Sequence, residues 1–193
     1  MVKIITPPLI EEYEINPDTM IIMPLTYGSK VYSQIWELED EYVSPFKPID
    51  IIKKGCISFG SSYEGRKEAT KQLTGITHKA PITVDSTNSI YFFPTTSPTN
   101  SQCIWISQEH VLLHRREDAA NTKILFNNKR TLTLPVSYNS INNQILRTAL
   151  LKTTLSRRIE NLERKDWYFI SGRRNLNASE HTGKYSAGEK EYK

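Results

Sequence analysis

Residues 122–165 read TKILFNNKRTLTLPVSYNSINNQILRTALLKTTLSRRIENLERK, and their apolar period changes once. NTKILF and RTLTLPV flank Asn127-Asn128-Lys129, a hairpin turn, because asparagine tolerates positive φ. TLTL alternates as a half-buried strand does. From Tyr138 to Lys165 the period is helical. At about 100° per residue Ile141, Ile145, Ala149, Leu151, Leu155, Ile159 and Leu162 gather on one side. Arg147 and Arg158 line one flank, Arg157 and Arg164 the other. Lys152 falls inside the apolar stripe, which predicts a bend there or two shorter helices. Strands followed by a helix predict an α+β domain.

Working back from this stretch, the texture stays β as far as Pro81. PITVD and SIYFFP flank a Ser-Thr-Asn turn, and QCIWIS and HVLLH follow. Nearer the N-terminus, TMIIMPL and SKVYSQIWEL read as a hairpin about Tyr27-Gly28-Ser29. VSPFKPIDIIKKGCISF holds two prolines and then a strand-like run. FGSSYEGRKEATKQLTG, residues 59–75, reads as a short helix. Ser61 is the expected N-cap, with Glu64 three residues on at capping-box spacing, and Gly75 is the expected stop. The expected organisation is therefore an acidic, proline-punctuated arm over 1–18, one domain of antiparallel strands over 19–165, and a flexible polar tail over 166–193. At the head of that tail, Trp167, Tyr168, Phe169 and Ile170 are either a last core anchor or a docking motif.

Composition narrows the function classes. Residues 1–50 carry three basic and nine acidic side chains, a balance of −6, whereas 51–193 carry 22 basic and 12 acidic, a balance of +10. A basic body behind an acidic lead suggests a polyanion partner. No apolar run approaches the ~18 residues that span a bilayer, and the N-terminus lacks the pattern of a secretory signal. Two cysteines, Cys56 and Cys103, fit a reducing compartment. The expected location is the cytoplasm, without membrane attachment.

Catalytic motifs are poorly represented. Gly60 to Lys67 echoes a nucleotide-binding P-loop, but Arg66 stands at the lysine position and Lys67 at the magnesium hydroxyl. His110 and His114 are four apart on a strand-like segment, and no paired cysteines accompany them, so no metal and no cofactor are expected. Anion binding without chemistry remains. The helix N-terminus at Ser61 and Ser62 offers amides, Arg66, Lys67 and Lys71 add charge, and His78-Lys79 lies in the following loop.

Three separated strings, FGSSYEGRKEATKQLTGITHKAPITVD, IYFFPTTSPTNSQCIWIS and LPVSYNSINNQILRTALLKTTLSRRI, together resemble the bacterial competence transcription factor family (ComK). The resemblance spans roughly Ser44 to Lys165. It implies a dimeric or tetrameric activator of DNA-uptake genes that works with RNA polymerase on the nucleoid. Its sites are runs of A and of T read largely through the minor groove, where A-tract width and deformability favour inserted arginines. Arg66, Lys67, His78, Lys79, Arg147, Lys152 and Arg158 fall where the family pattern has similar residues; the resemblance itself assigns none of them, and with Lys71, read from the helix charge alone, they are the expected DNA contacts. Two departures stand out. The family's tail carries a motif read by a Clp-protease adaptor, whereas DWYFISGRRNLNASEHTG shares only an aromatic-apolar patch. Leu146 and Leu150 stand where the family often has aromatics. The rival reading is a relative that kept the fold, lost DNA binding and regulates through protein partners.

Overall fold

A computed structural model describes residues 7–176, with side chains as far as Arg164. Its elements are β1 (Ile21–Tyr27), β2 (Lys30–Trp36), β3 (Glu41–Ser44), α1 (Pro48–Ser58), α2 (Tyr63–Thr74), β4 (Ile82–Asp85), β5 (Ile90–Pro94), β6 (Trp105–Ser107), a 3₁₀ turn (Gln108–His110), β7 (Val111–Arg116), β8 (Thr122–Phe126), β9 (Thr131–Leu134) and α3 (Tyr138–Leu176). Strands precede and follow α1 and α2, and the architecture is α+β with antiparallel pairing throughout both sheets. The chain divides into two units, one ending at Leu155 and the other beginning at Ser156 within α3.

In the first unit a six-stranded sheet, ordered β3-β2-β1-β6-β5-β4, is covered on both faces. Ile22, Ile35, Ile82, Val84, Phe92 and Trp105 share one core with Ile51, Ile52 and Cys56 of α1. Their neighbours Ile21, Met23, Trp36, Phe93 and Ile106 share the opposite core with Ile124 and Phe126 of β8 and Ile141 of α3. Two covered faces explain why β5, IYFFP, is buried at every position and shows no alternation. A smaller sheet, β7-β8-β9, forms the second layer on the side away from α1 and α2.

Four local expectations are corrected. The strand-like run before Phe59 is helix α1, started by Pro48 at its first turn and burying Pro48, Ile51, Ile52, Gly55 and Cys56. That spacing is helical, and packing outweighs the β-branched composition. Gly55 sits mid-helix because a Cβ there would stand 2.6 Å from Ile15 Cδ1. Second, the expected arm, which contributes Ile15, is strapped down from Pro8 onward. Ile10 N donates to Val43 O at 2.8 Å, Val43 N donates to Pro8 O at 3.0 Å, and Tyr13 and Ile15 are buried. Tyr13 donates to Glu37 Oε1 at 2.6 Å, and burial pushes its phenol well above the usual tyrosine range.

Third, the long helix is not apolar along the whole of its expected stripe. Its first four turns bury Ile141, Gln144, Thr148 and Leu151, so two polar residues hold positions in the core stripe. Ile159 and Leu162 are exposed. Lys152 needs no bend, since Nζ reaches Glu109 Oε2 at 2.6 Å while lying 5.9 Å from the Tyr91 ring centre, its stem covering apolar surface. Fourth, the helix continues to Leu176, past the expected end at Lys165. The tail from 177 onward lies outside the described residues.

Candidate nucleic-acid interface

Helix α2 is placed by its ends. Ser62 is the N-cap, and its hydroxyl accepts from Gly65 N at 3.0 Å. The expected cap, Ser61, instead donates its N–H to Cys56 O at 3.0 Å, closing the turn out of α1. With the cap one residue later, Glu64 is not the partner of a capping box and pairs with Lys67 at 2.8 Å. Gly75 closes the helix at φ 75° with its N–H on Lys71 O.

On the outer surface of α2, Lys67 and Lys71 lie one turn apart, each paired three residues back with Glu64 and Glu68. Such half-exposed pairs contribute only about 0–1 kcal/mol and give way readily to a stronger anion. Arg66 points the other way. Its Nη2 donates to Phe59 O and to Val84 O, both at 3.2 Å, and its Nε is buried without a partner. The residue expected to enter the groove thus ties the α1–α2 turn to β4. It also stands where the P-loop echo has its lysine, so no cation is presented to that loop from this position.

The loop from Ile76 to Ala80 turns on Lys79, which is exposed at φ 49°. Its backbone is held from α3. Gln144 Nε2 donates to Lys79 O at 3.0 Å and to Pro94 O at 2.6 Å, and Arg147 Nη1 donates to His78 O at 3.3 Å. The loop and α2 face a groove of about 270 Å³, lined by Lys53, Tyr63, Lys67, His78, Lys79 and Thr99 among others, with Glu64 its acidic member. A second hollow of about 260 Å³ shares Lys53, Pro98 and Thr99 and adds Lys47, Asn100 and Ser101, with Asp50. The β5–β6 loop forming this rim is internally tied: Thr95 and Ile104 exchange two hydrogen bonds, and Cys103 N donates to Asn100 O.

The structure therefore brings Lys67, His78 and Lys79 together, with Lys71 one turn further on and Arg147 behind the loop. It does not bring Arg66 or Lys152 to the groove. Arg158 belongs to the second unit and is exposed there. Trp167, Tyr168, Phe169 and Ile170 are helical in backbone, and their side chains lie outside the described residues. Lys47 and Lys53 were missed because the run that carries them did not read as a helix. The helical spacing of Pro48, Ile51, Ile52 and Cys56 was the signal that would have put Lys53 on the outer face.

The histidines have other partners. His110 is buried with Nε2 on Pro17 O at 2.8 Å, and His114 stacks on Tyr138 with Nε2 3.1 Å from Asn142 Oδ1. Among the described residues no three His, Cys, Asp or Glu side chains converge on a metal-sized site, and no helix is long and apolar enough to cross a membrane. Burial pushes the Cys56 thiol up to about 11 and raises that of Cys103.

Comparison with known proteins agrees with the sequence resemblance. The ComK protein family matches residues 10–160. The chain is 42% identical over 151 residues to the competence transcription factor of Bacillus subtilis (strain 168), covering 78% of this chain and 79% of that protein. No solved structure matches the chain. The chain belongs to the ComK family.

Proposed function

We propose that this chain is a DNA-binding transcriptional activator of competence genes that prefers A/T-rich promoter boxes and reads them largely through the minor groove. The observation that supports it is the convergence of basic side chains from three separate segments on one groove: Lys53 from α1, Lys67 from α2, and Lys79 from the following loop, beside the His78 imidazole. Such a cluster suits a phosphate backbone, which offers an anion every few ångströms and is met mainly by lysine, arginine, hydroxyls and backbone amides. Thr99, Asn100 and Ser101 extend the same surface with neutral donors.

In this reading Lys53, Lys67 and Lys71 meet phosphates. Lys79 at the loop tip and Arg147 behind it lie nearest the bases, where A/T preference comes from groove width and deformability. The chain acts as a homodimer or larger assembly on the nucleoid, with RNA polymerase as its partner at the promoter. The helical segment around Trp167–Ile170 is a docking element for a protease adaptor.

Fluorescence anisotropy tests the reading, with one duplex carrying spaced A and T runs and one in which they are scrambled into G·C-rich sequence, each titrated through salt. At least hundredfold tighter binding to the first, competed by a minor-groove ligand, is expected. Equal and steeply salt-dependent binding to both would reduce the activity to non-specific polyanion affinity. No binding to either at near-physiological salt would turn the reading into a protein-interaction regulator of the same fold.

A further inference from the structure

The outer face of the β7-β8-β9 sheet carries two rows of side chains. Leu113 stands opposite Leu125, which stands opposite Thr131; Arg115 stands opposite Lys123, which stands opposite Thr133. The inner face of the same sheet buries Ile124, Phe126 and Leu134 in the core, so the outer rows are held on a rigid support. Leu113 is 55% exposed although its partner is another leucine. The rows enclose a hollow of about 200 Å³ lined by Leu113, Arg115, Lys123, Leu125 and Thr131.

Like charges directly opposite on adjacent strands destabilise a sheet. Here Arg115 and Lys123 form such a pair, and neither makes an ion pair among the described residues. Glu117, in the turn beyond Arg115, is paired with neither. A cost of this kind, placed beside exposed leucines, is offset when a ligand brings negative charge and apolar surface together.

We infer that this face docks an acidic polypeptide segment anchored by one bulky apolar side chain, with the anchor seated over Leu113 and Leu125 and its carboxylates on Arg115 and Lys123. Charge complementarity fixes the sign of the partner, and the leucine floor fixes its class. A nucleic acid would use apolar residues as protruding wedges between base steps, whereas these leucines line a concavity. The face lies on the side of the six-stranded sheet away from α1 and α2, so a partner bound here leaves the Lys53–Lys67–Lys79 groove open. The inference does not depend on what that groove binds.

The test uses the full chain and a fluorescein-labelled hexapeptide of the pattern acid-acid-Phe-Ser-acid-acid. Its control has the same length with every acid replaced by the corresponding amide. Anisotropy should show the acidic peptide binding at least tenfold more tightly than the control. Arg115→Ser with Lys123→Ser should abolish that difference, Leu113→Ser should weaken both peptides, and the midpoint of thermal unfolding should not fall in the double variant, because a repulsive pair has been removed. Equal affinity for the two peptides, or a difference that survives in the double variant, would overturn the inference. So would a tenfold loss of duplex DNA binding in the double variant with peptide affinity unchanged, since the face would then belong to nucleic acid.

Discussion

Arg66→Ala separates a structural arginine from a groove-reading one. The guanidinium makes two hydrogen bonds to main-chain carbonyls, Phe59 O and Val84 O, at 3.2 Å each. Hydrogen bonds from charged groups contribute up to about 3 kcal/mol when well formed. These lie at the long end of the range, on a side chain that is only partly buried, so about 1 kcal/mol each is the better figure. Losing both, and with them the tie between the α1–α2 turn and β4, should cost about 2 kcal/mol, or roughly 4–8 °C in a domain of this size. Lys67→Ala serves as the comparison, because it removes only a half-exposed pair with Glu64 and should shift unfolding by about 0–1 kcal/mol. Urea unfolding followed by tryptophan fluorescence reads the difference, since Trp36 and Trp105 are buried in opposite cores. Duplex affinity measured well below each midpoint should then change more for Lys67→Ala than for Arg66→Ala. An Arg66→Ala protein that unfolds at the wild-type urea midpoint yet loses its A/T preference would refute this assignment and return Arg66 to the minor groove.

Ser62→Ala should cost about 1 kcal/mol through loss of the cap on Gly65 N, whereas Ser61→Ala should stay within about 0.5 kcal/mol; paired urea titrations check the order. Gln144→Ala leaves the carbonyls of Lys79 and Pro94 without their donor and should cost about 2–3 kcal/mol, with faster amide exchange in residues 76–80 as its local signature. Alkali should weaken the fold. Burial holds the Cys56 thiol at about 11 and the Tyr63 phenol at about 12, above the roughly 8.5 and 10 of an unfolded chain. Values raised on folding mean that the stabilisation is full below pH ~8.5 and is lost as pH climbs through 11. Cys56→Ala should therefore flatten the fall in unfolding free energy between about pH 9 and 11 by roughly 2–3 kcal/mol, measured by urea titration across that range.

What the sequence disclosed followed from how many faces of each element are buried. Strands β8 and β9 have one face in the core and one in solvent, so TLTL alternates and the hairpin is legible. The turn differs in one detail: positive φ falls on Lys129 and not on either asparagine. Helix α2 was legible from its polar outer face and its glycine stop, and the cap erred by one residue because Ser61 and Ser62 are chemically equal candidates. Helix α1 was not legible. Its isoleucines and mid-helix glycine score against a helix, and packing against α2, β1, β4 and Ile15 makes helix the better state. Site residues divided in the same manner. Lys67 and Lys79 line the cationic groove, and Lys71 lies one turn further on, because charge near a helix end is a local property. Arg66 and Lys152 turn to partners away from the groove, because the orientation of a long cation depends on which carbonyl or carboxylate tertiary structure brings within reach.

That dependence gives α3 a different part from the one its arginines suggested. The helix meets the 76–80 loop through Gln144 and Arg147, which hold the carbonyls of Lys79 and His78. Gln144 is nearly fully buried and also holds Pro94 O, so one side chain fixes both the loop that carries Lys79 and the end of β5 that leads into the Thr99 rim. The two sides of the groove are thus set by a residue that does not line it. A polar residue in a core stripe weakens helix amphipathicity and is tolerated only when every donor finds an acceptor. Here both acceptors are main-chain carbonyls of segments that border the cationic groove. In the DNA-binding reading, the first half of α3 acts as a positioning element, with Gln144 placing Lys79 and Arg147 contributing through the placement of His78 as well as through its own charge.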